Sequence, residues 1–122
     1  MSVPADVQAF AERWISEWNL KDVEAVLAHF SEDVVFTSPR AKLVVGSPQI
    51  RGKANLREYW NRAIERIDTI HFTLDYVIKD ASHMAIVYTA ELSGKRVRAV
   101  EFLDFGEDGL IHRGEGMYGV EL

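Results

Sequence analysis

Val97-Arg98-Ala99-Val100-Glu101-Phe102-Leu103-Asp104-Phe105, followed by Gly106-Glu107-Asp108-Gly109 and Leu110-Ile111-His112-Arg113, is the stretch on which the reading of this chain turns. Read as a strand, its side chains alternate between two faces. One face carries Val97, Ala99, Glu101, Leu103 and Phe105; the other carries Arg96, Arg98, Val100, Phe102 and Asp104. A carboxylate between Ala99 and Leu103 on the greasier face is expensive to bury unless something pairs with it. That face therefore lines a pocket in which the acid has a task, or it is wetter than its neighbours suggest. The pattern points to a pocket.

The turn after the strand sets a register. With Asp108-Gly109 as the two turn residues, Glu107 faces Leu110, and the pairing continues from there at a constant sum. Asp104 then faces Arg113, an opposite-charge pair that favours this register. Phe105 faces His112, Glu101 faces Gly116, and Ala99 faces Tyr118. The glycine opposite Glu101 leaves space beside the acid. A three-residue loop would set Glu101 against Glu115, which like-charge repulsion disfavours.

Strand signals also fill the preceding region, at Ile70 to Lys79 and His83 to Leu92, with Ser93-Gly94 as a turn. Before them the period changes from two to that of a helix. Val7, Phe10, Ala11, Trp14, Ile15 and Trp18 form one apolar stripe on a helix expected over Pro4 to Asn19. Asp22 is a good N-cap for a short second helix that buries Val23, Val26, Leu27 and Phe30. Asp33 to Thr37 reads as a first strand ended by Ser38-Pro39. The segment from Arg40 to Gly52 reads as a loop in which Leu43-Val44-Val45 can pair as a strand. Leu56, Tyr59, Trp60, Ala63, Ile64 and Ile67 mark a third helix over Lys53 to Ile67. Helices first and an antiparallel meander last is an α+β order. The whole chain, residues 1–122, is expected to be one domain.

Composition excludes several function classes. Apolar residues make up 48% and charged residues 27% of the chain, as in an ordinary globular protein. The net charge of −5 leaves no basic surplus to neutralise phosphates, so a nucleic-acid partner is not expected. Scattered Lys and Arg, and no apolar run near the ~20 residues a spanning helix needs, argue against a membrane partner. The absence of cysteine removes disulfides, thiolate metal sites and a Cys nucleophile together. His29, His71 and His83 have no metal-ligand spacing with each other or with carboxylates, so a metal site is not expected, and no cofactor is expected; His112, near the hairpin end, is expected to be partly exposed rather than catalytic. The N-terminal residues show no secretory signal, which makes a cytoplasmic location the default.

Several longer segments then carry a family resemblance: Trp18-Asn19-Leu20-Lys21-Asp22-Val23-Glu24-Ala25-Val26, Phe30-Ser31-Glu32-Asp33-Val34-Val35-Phe36, and Ile50-Arg51-Gly52-Lys53-Ala54-Asn55-Leu56-Arg57-Glu58-Tyr59-Trp60. With Val100-Glu101-Phe102-Leu103-Asp104-Phe105 and Asp108-Gly109-Leu110-Ile111, they make the chain resemble the SnoaL-like (polyketide cyclase and ketosteroid isomerase-like) group of the NTF2-like superfamily over nearly its whole length. The resemblance implies a cone: three N-terminal helices packed on a strongly curved, mainly antiparallel sheet around a mostly apolar cavity. It also implies a homodimer formed through the outer sheet face.

Carried over residue by residue, the chemistry of the steroid isomerases mostly fails. The position of their proton-abstracting aspartate, just before the proline that ends the first strand, holds Ser38 before Pro39. Their oxyanion tyrosine falls on Trp14 and a supporting tyrosine on Trp60. Only the buried acid of their oxyanion hole finds a match, in Glu101. A typical ketosteroid isomerase is therefore rejected.

Glu101 is the catalytic candidate, because an acid in apolar surroundings keeps its proton near neutral pH and can donate or shuttle it. Trp14, Trp18, Ser38, Tyr59, Trp60, Tyr88 and Tyr118 are the substrate-binding candidates, although aromatics at such spacing are often simply core. Amphipathic aromatics of this kind suit a small apolar or amphipathic molecule. Two functions stay open. One is a small-molecule-binding protein that, if catalytic, acts as an isomerase, cyclase or dehydratase through Glu101. The other is a non-catalytic ligand-binding or dimerisation module in which Glu101 is structural, held by Tyr118, an indole or water.

Overall fold

The computed structural model describes residues 3–122; Met1 and Ser2, the start of the stretch read as showing no secretory signal, lie outside the described residues. Its elements run α1 (Val7–Asn19), α2 (Val23–Leu27), β1 (Phe30–Thr37), α3 (Pro39–Val45), β2 (Gln49–Arg51), α4 (Lys53–Glu65), β3 (Ile70–Lys79), β4 (His83–Leu92), β5 (Lys95–Phe105) and β6 (Ile111–Glu121). Four helices pack on a six-stranded sheet of order β2-β1-β6-β5-β4-β3. All neighbours are antiparallel except β1 and β6, which run parallel. The expected α+β architecture on a curved, mainly antiparallel sheet is what forms.

The apolar stripe of α1 is buried as its spacing requires, through Phe10, Ala11, Trp14, Ile15 and Trp18. The helix starts later than expected, because Asp6 is its N-cap: the carboxylate accepts from the Ala9 amide at 3.0 Å, which leaves Pro4 outside. At the other end Asn19 acts as a short piece of strand. Its side-chain oxygen accepts from the Phe72 amide at 2.6 Å and its amide nitrogen donates to the Phe72 carbonyl at 3.0 Å. Both peptide groups of Phe72 on that edge are thereby satisfied, and α1 is fixed against β3.

The segment read as a loop holds the fourth helix. Ser38 is the N-cap of α3, accepting from the Arg40 amide, Pro39 occupies the first helical turn, and Gly46 closes the helix in the left-handed region at φ 85°. Leu43-Val44-Val45 is therefore helical, and the short pairing strand follows it at Gln49–Arg51. The first strand also starts earlier than expected, at Phe30, with a bulge before Val35 where it pairs with β6. A second bulge at Asp75, between the Leu74–Tyr88 and Tyr76–Val87 pairs, adds local twist to the long β3–β4 hairpin.

The β5–β6 register matches the expectation through its middle: Asp104 faces Arg113, Glu101 faces Gly116 and Ala99 faces Tyr118. It slips at the turn, where Phe105 faces Ile111 rather than His112. Asp108 is the reason. Its carboxylate accepts from the Leu110 amide at 2.9 Å and meets the His112 ring at 3.0 Å, so the loop closes over more residues than a two-residue turn. Ile111 takes the core position, and His112 moves to the rim between Asp108 and Asp33.

Candidate functional site

The inner face of β5 is buried from Val97 to Phe105, and Glu101 is the one ionisable residue in that run. It is only 5% exposed. Burial alone drives its pKa up from the usual 4.5 to about 8, with no hydrogen bond or neighbouring charge to offset it. At neutral pH the group is therefore mostly the protonated acid, able to donate a hydrogen bond. Gly116 gives it room: a Cβ there would stand 3.4 Å from Glu101 Oε1 and 3.6 Å from Ser38 Oγ. Glu101 and Ser38 thus converge on the same glycine from different strands and loops.

Glu101 reaches the wall of a cavity of about 280 Å³ between α1, α3, α4 and the concave sheet face. Of the residues expected to contact a ligand, Trp14, Trp18, Tyr59, Trp60, Tyr88 and Tyr118 also line it. Ser38 does not. It is buried behind the wall, capping α3, with its hydroxyl drawing down the pKa of the Tyr59 and Tyr118 phenols. Burial acts the other way on those phenols and on Tyr88 and prevails, so all three titrate above an ordinary tyrosine.

The aromatic side chains support one another edge to face. The ring centroids of Trp14 and Tyr88 are 5.2 Å apart and those of Trp18 and Trp60 are 5.0 Å apart. Their packing leaves the indole N–H groups of Trp14 and Trp18 without an acceptor among the described residues. Each such buried donor costs about 1–3 kcal/mol relative to a satisfied one.

Other lining residues were not among the candidates named from the sequence. Ile64 and Phe72 extend the apolar wall, and Arg40 brings a cation. The Arg40 guanidinium carbon lies 4.4 Å from the centre of the Tyr118 ring, a cation–π arrangement. Arg40 was missed because its segment was read as a loop. The signal was present: Ser38-Pro39 ahead of Gly46 is the proline-at-the-start, glycine-at-the-end pattern of a short helix. Among the described residues Glu101 is the only carboxylate on the lining, and no cluster of His, Asp or Glu is arranged to hold a metal ion.

With the sheet wrapped around the helices and a buried acid facing an aromatic cavity, comparison with known proteins gives the family. The SnoaL-like domain profile matches residues 11–114, and the chain belongs to that family. A SnoaL-like protein of unknown function from Burkholderia thailandensis E264 is 28% identical, with a TM-score of 0.82 over 93% of this chain and 94% of that one. A protein of unknown function with a cystatin-like fold from Methylobium petroleophilum PM1 is 23% identical, with a TM-score of 0.76 over 98% and 80% of the two chains. An NTF2-like protein of unknown function from Cytophaga hutchinsonii ATCC 33406, at 14% identity and a TM-score of 0.70, covers 98% and 95%. No curated protein matches the chain. No helix among the described residues is long and apolar enough to cross a membrane.

Proposed function

We propose that this protein binds a small, largely apolar molecule in the cavity and presents the protonated Glu101 to a polar atom of it. The observation that carries the reading is the state of Glu101: buried, on the cavity wall, with burial as the sole influence on its titration. A structural acid needs a partner to offset its desolvation, and Glu101 has none among the described residues. This favours the pocket over the alternative of a purely structural Glu101.

If the protein is catalytic, the chemistry is proton transfer. A neutral carboxylic acid aimed at a ligand carbonyl oxygen stabilises the enol or enolate formed when a proton leaves the neighbouring carbon. Isomerisation, aldol-type cyclisation and dehydration all share that step. Ketosteroid isomerase in its usual form is not supported, because Ser38 stands where the carboxylate base would be and the lining offers no second acid. A base would have to come from the ligand or from a group with a weaker claim.

The outer sheet face supports a second copy as partner. Tyr76, Val87, Val100 and Met117 form one row across β3, β4, β5 and β6, and Ile78, Ala85 and Phe102 form the next. Tyr76, Ile78, Phe102 and Met117 are each exposed by two fifths or more. A contiguous apolar patch of this kind marks an association surface. A homodimer built on it leaves the cavity, on the opposite face, free for its ligand.

Titration with cyclic ketones and enones tests the function, with the fluorescence of Trp14, Trp18 and Trp60 as the signal. Saturable quenching that Glu101→Gln changes is the expected result. The absence of saturable quenching by any of them would contradict the proposal.

A further inference from the structure

The charges on the cavity run against those of the chain. The protein as a whole carries −5, yet the lining holds two arginines, Arg40 and Arg66, and a single acid. Neither arginine forms an ion pair among the eight ion pairs of the described residues. Arg57, Arg62 and Arg98 pair with Glu24, Glu58 and Asp75, and the other arginines without an ion pair, Arg13, Arg51, Arg96 and Arg113, lie away from the cavity lining. Arg40 and Arg66 stand out as cations left over beside an apolar cavity.

Their positions are fixed by the fold. Arg40 is in the first turn of α3, with its backbone amide held by the Ser38 cap and its guanidinium over Tyr118. Arg66, just past α4, reaches back to the Leu43 carbonyl at 3.5 Å. The face-on contact with Tyr118 leaves the N–H edge of Arg40, a planar fork suited to a carboxylate, without an acid to receive it. Arg40 does not serve Glu101, whose titration responds to burial alone. The lining therefore holds two polar groups, a neutral acid on the sheet and a cation on α3.

We propose that the ligand is an amphipathic anion, an aromatic or alicyclic carboxylate whose ring system fills the aromatic cavity and whose carboxylate is received by Arg40. The proposal rests on the reading of the cavity as a small-molecule site and adds the charge of its ligand. The cavity of about 280 Å³ has room for a ring system of at least roughly two fused rings. A protonated Glu101 adds no repulsion to an incoming anion. Arg66 adds to the attraction at the rim, where solvent screens it more.

The test uses 2-naphthoate and its methyl ester, a pair alike in rings and different in charge, titrated into the whole protein at neutral pH and followed by calorimetry. The expected result is that naphthoate binds at least about tenfold more tightly than the ester. Arg40→Met, which keeps the aliphatic stem, should bring the two within about twofold to threefold without weakening the ester, and Arg40→Lys should retain part of the preference. Equal binding of both ligands to the unaltered protein would overturn the inference and leave the pocket standing. A preference that survives in Arg40→Met would overturn the assignment to Arg40. Binding of neither ligand would overturn the inference, while the cyclic ketone titration decides separately whether the pocket stands.

Discussion

Glu101 and Gly116 face each other across β5 and β6, with Glu101 Oε1 3.4 Å from the point where a side chain on Gly116 would begin. The acid occupies space that a residue larger than alanine at position 116 would contest. A single methyl group fits at that distance, while a branched side chain meets both the carboxyl group and Ser38. Gly116→Ala is therefore expected to stay within about 1 kcal/mol of the parent, and Gly116→Val to lose about 1–3 kcal/mol through overpacking. Urea unfolding of the two variants measures this. Equal stability of Ala and Val would mean that the space beside Glu101 is not confined.

Asn19 ties the end of α1 to the edge strand β3 through both a donor and an acceptor, each meeting the same residue, Phe72. Asn19→Ala should cost about 1–3 kcal/mol, since it strands two peptide groups on a half-buried edge. Asn19→Asp should not restore the loss, because a carboxylate cannot donate to the Phe72 carbonyl. Midpoints of denaturant unfolding give the comparison. Full recovery in the aspartate variant would show that only the acceptor matters.

Much of this architecture was legible in the sequence, and the failures have physical causes. The alternation around Glu101 and the Asp104–Arg113 pair set the middle of the β5–β6 register, because a one-residue slip would turn every apolar side chain outward. The turn was less legible, since Asp108 bonds both the backbone and His112 and these side-chain contacts carry no periodicity. In α3 the apolar run Leu43-Val44-Val45 suggested a strand, as β-branched neighbours do, while the capping residues at both ends decided for a helix. That misreading hid Arg40. The aromatic lining was visible as residue types on helical and strand stripes. That these side chains enclose a cavity rather than fill it depends on sheet curvature, which bulges such as that at Asp75 help set.

The outer face is predicted to hold a second copy of the chain. Phe102→Lys together with Met117→Lys places charge in the two apolar rows without touching the cavity. Sedimentation at micromolar concentration should show a dimer for the parent protein and a monomer for the double variant. A parent that sediments as a monomer would remove this surface as an interface.

The burial of Glu101 predicts how stability depends on pH. Its folded pKa of about 8 lies above the usual 4.5, so between these values the folded chain holds a proton that the unfolded chain has released. Stability from this group is complete below about pH 4.5 and is lost as pH rises through about 8, at a slope approaching about 1.4 kcal/mol per pH unit. Glu101→Gln removes the titration. Its stability relative to the parent should increase from pH 5 to pH 8 and level off above. A constant difference across that range would mean that Glu101 titrates normally.

The most direct measurement is the titration of the Glu101 carboxyl carbon itself, followed by ¹³C NMR and assigned by the signal missing from Glu101→Gln. An apparent pKa near 8 is predicted, which keeps the acid protonated on the cavity wall at neutral pH. A midpoint in the ordinary carboxylate range of about 4 to 5 would contradict the account, leaving an ionised and solvated side chain with no proton to present to a ligand.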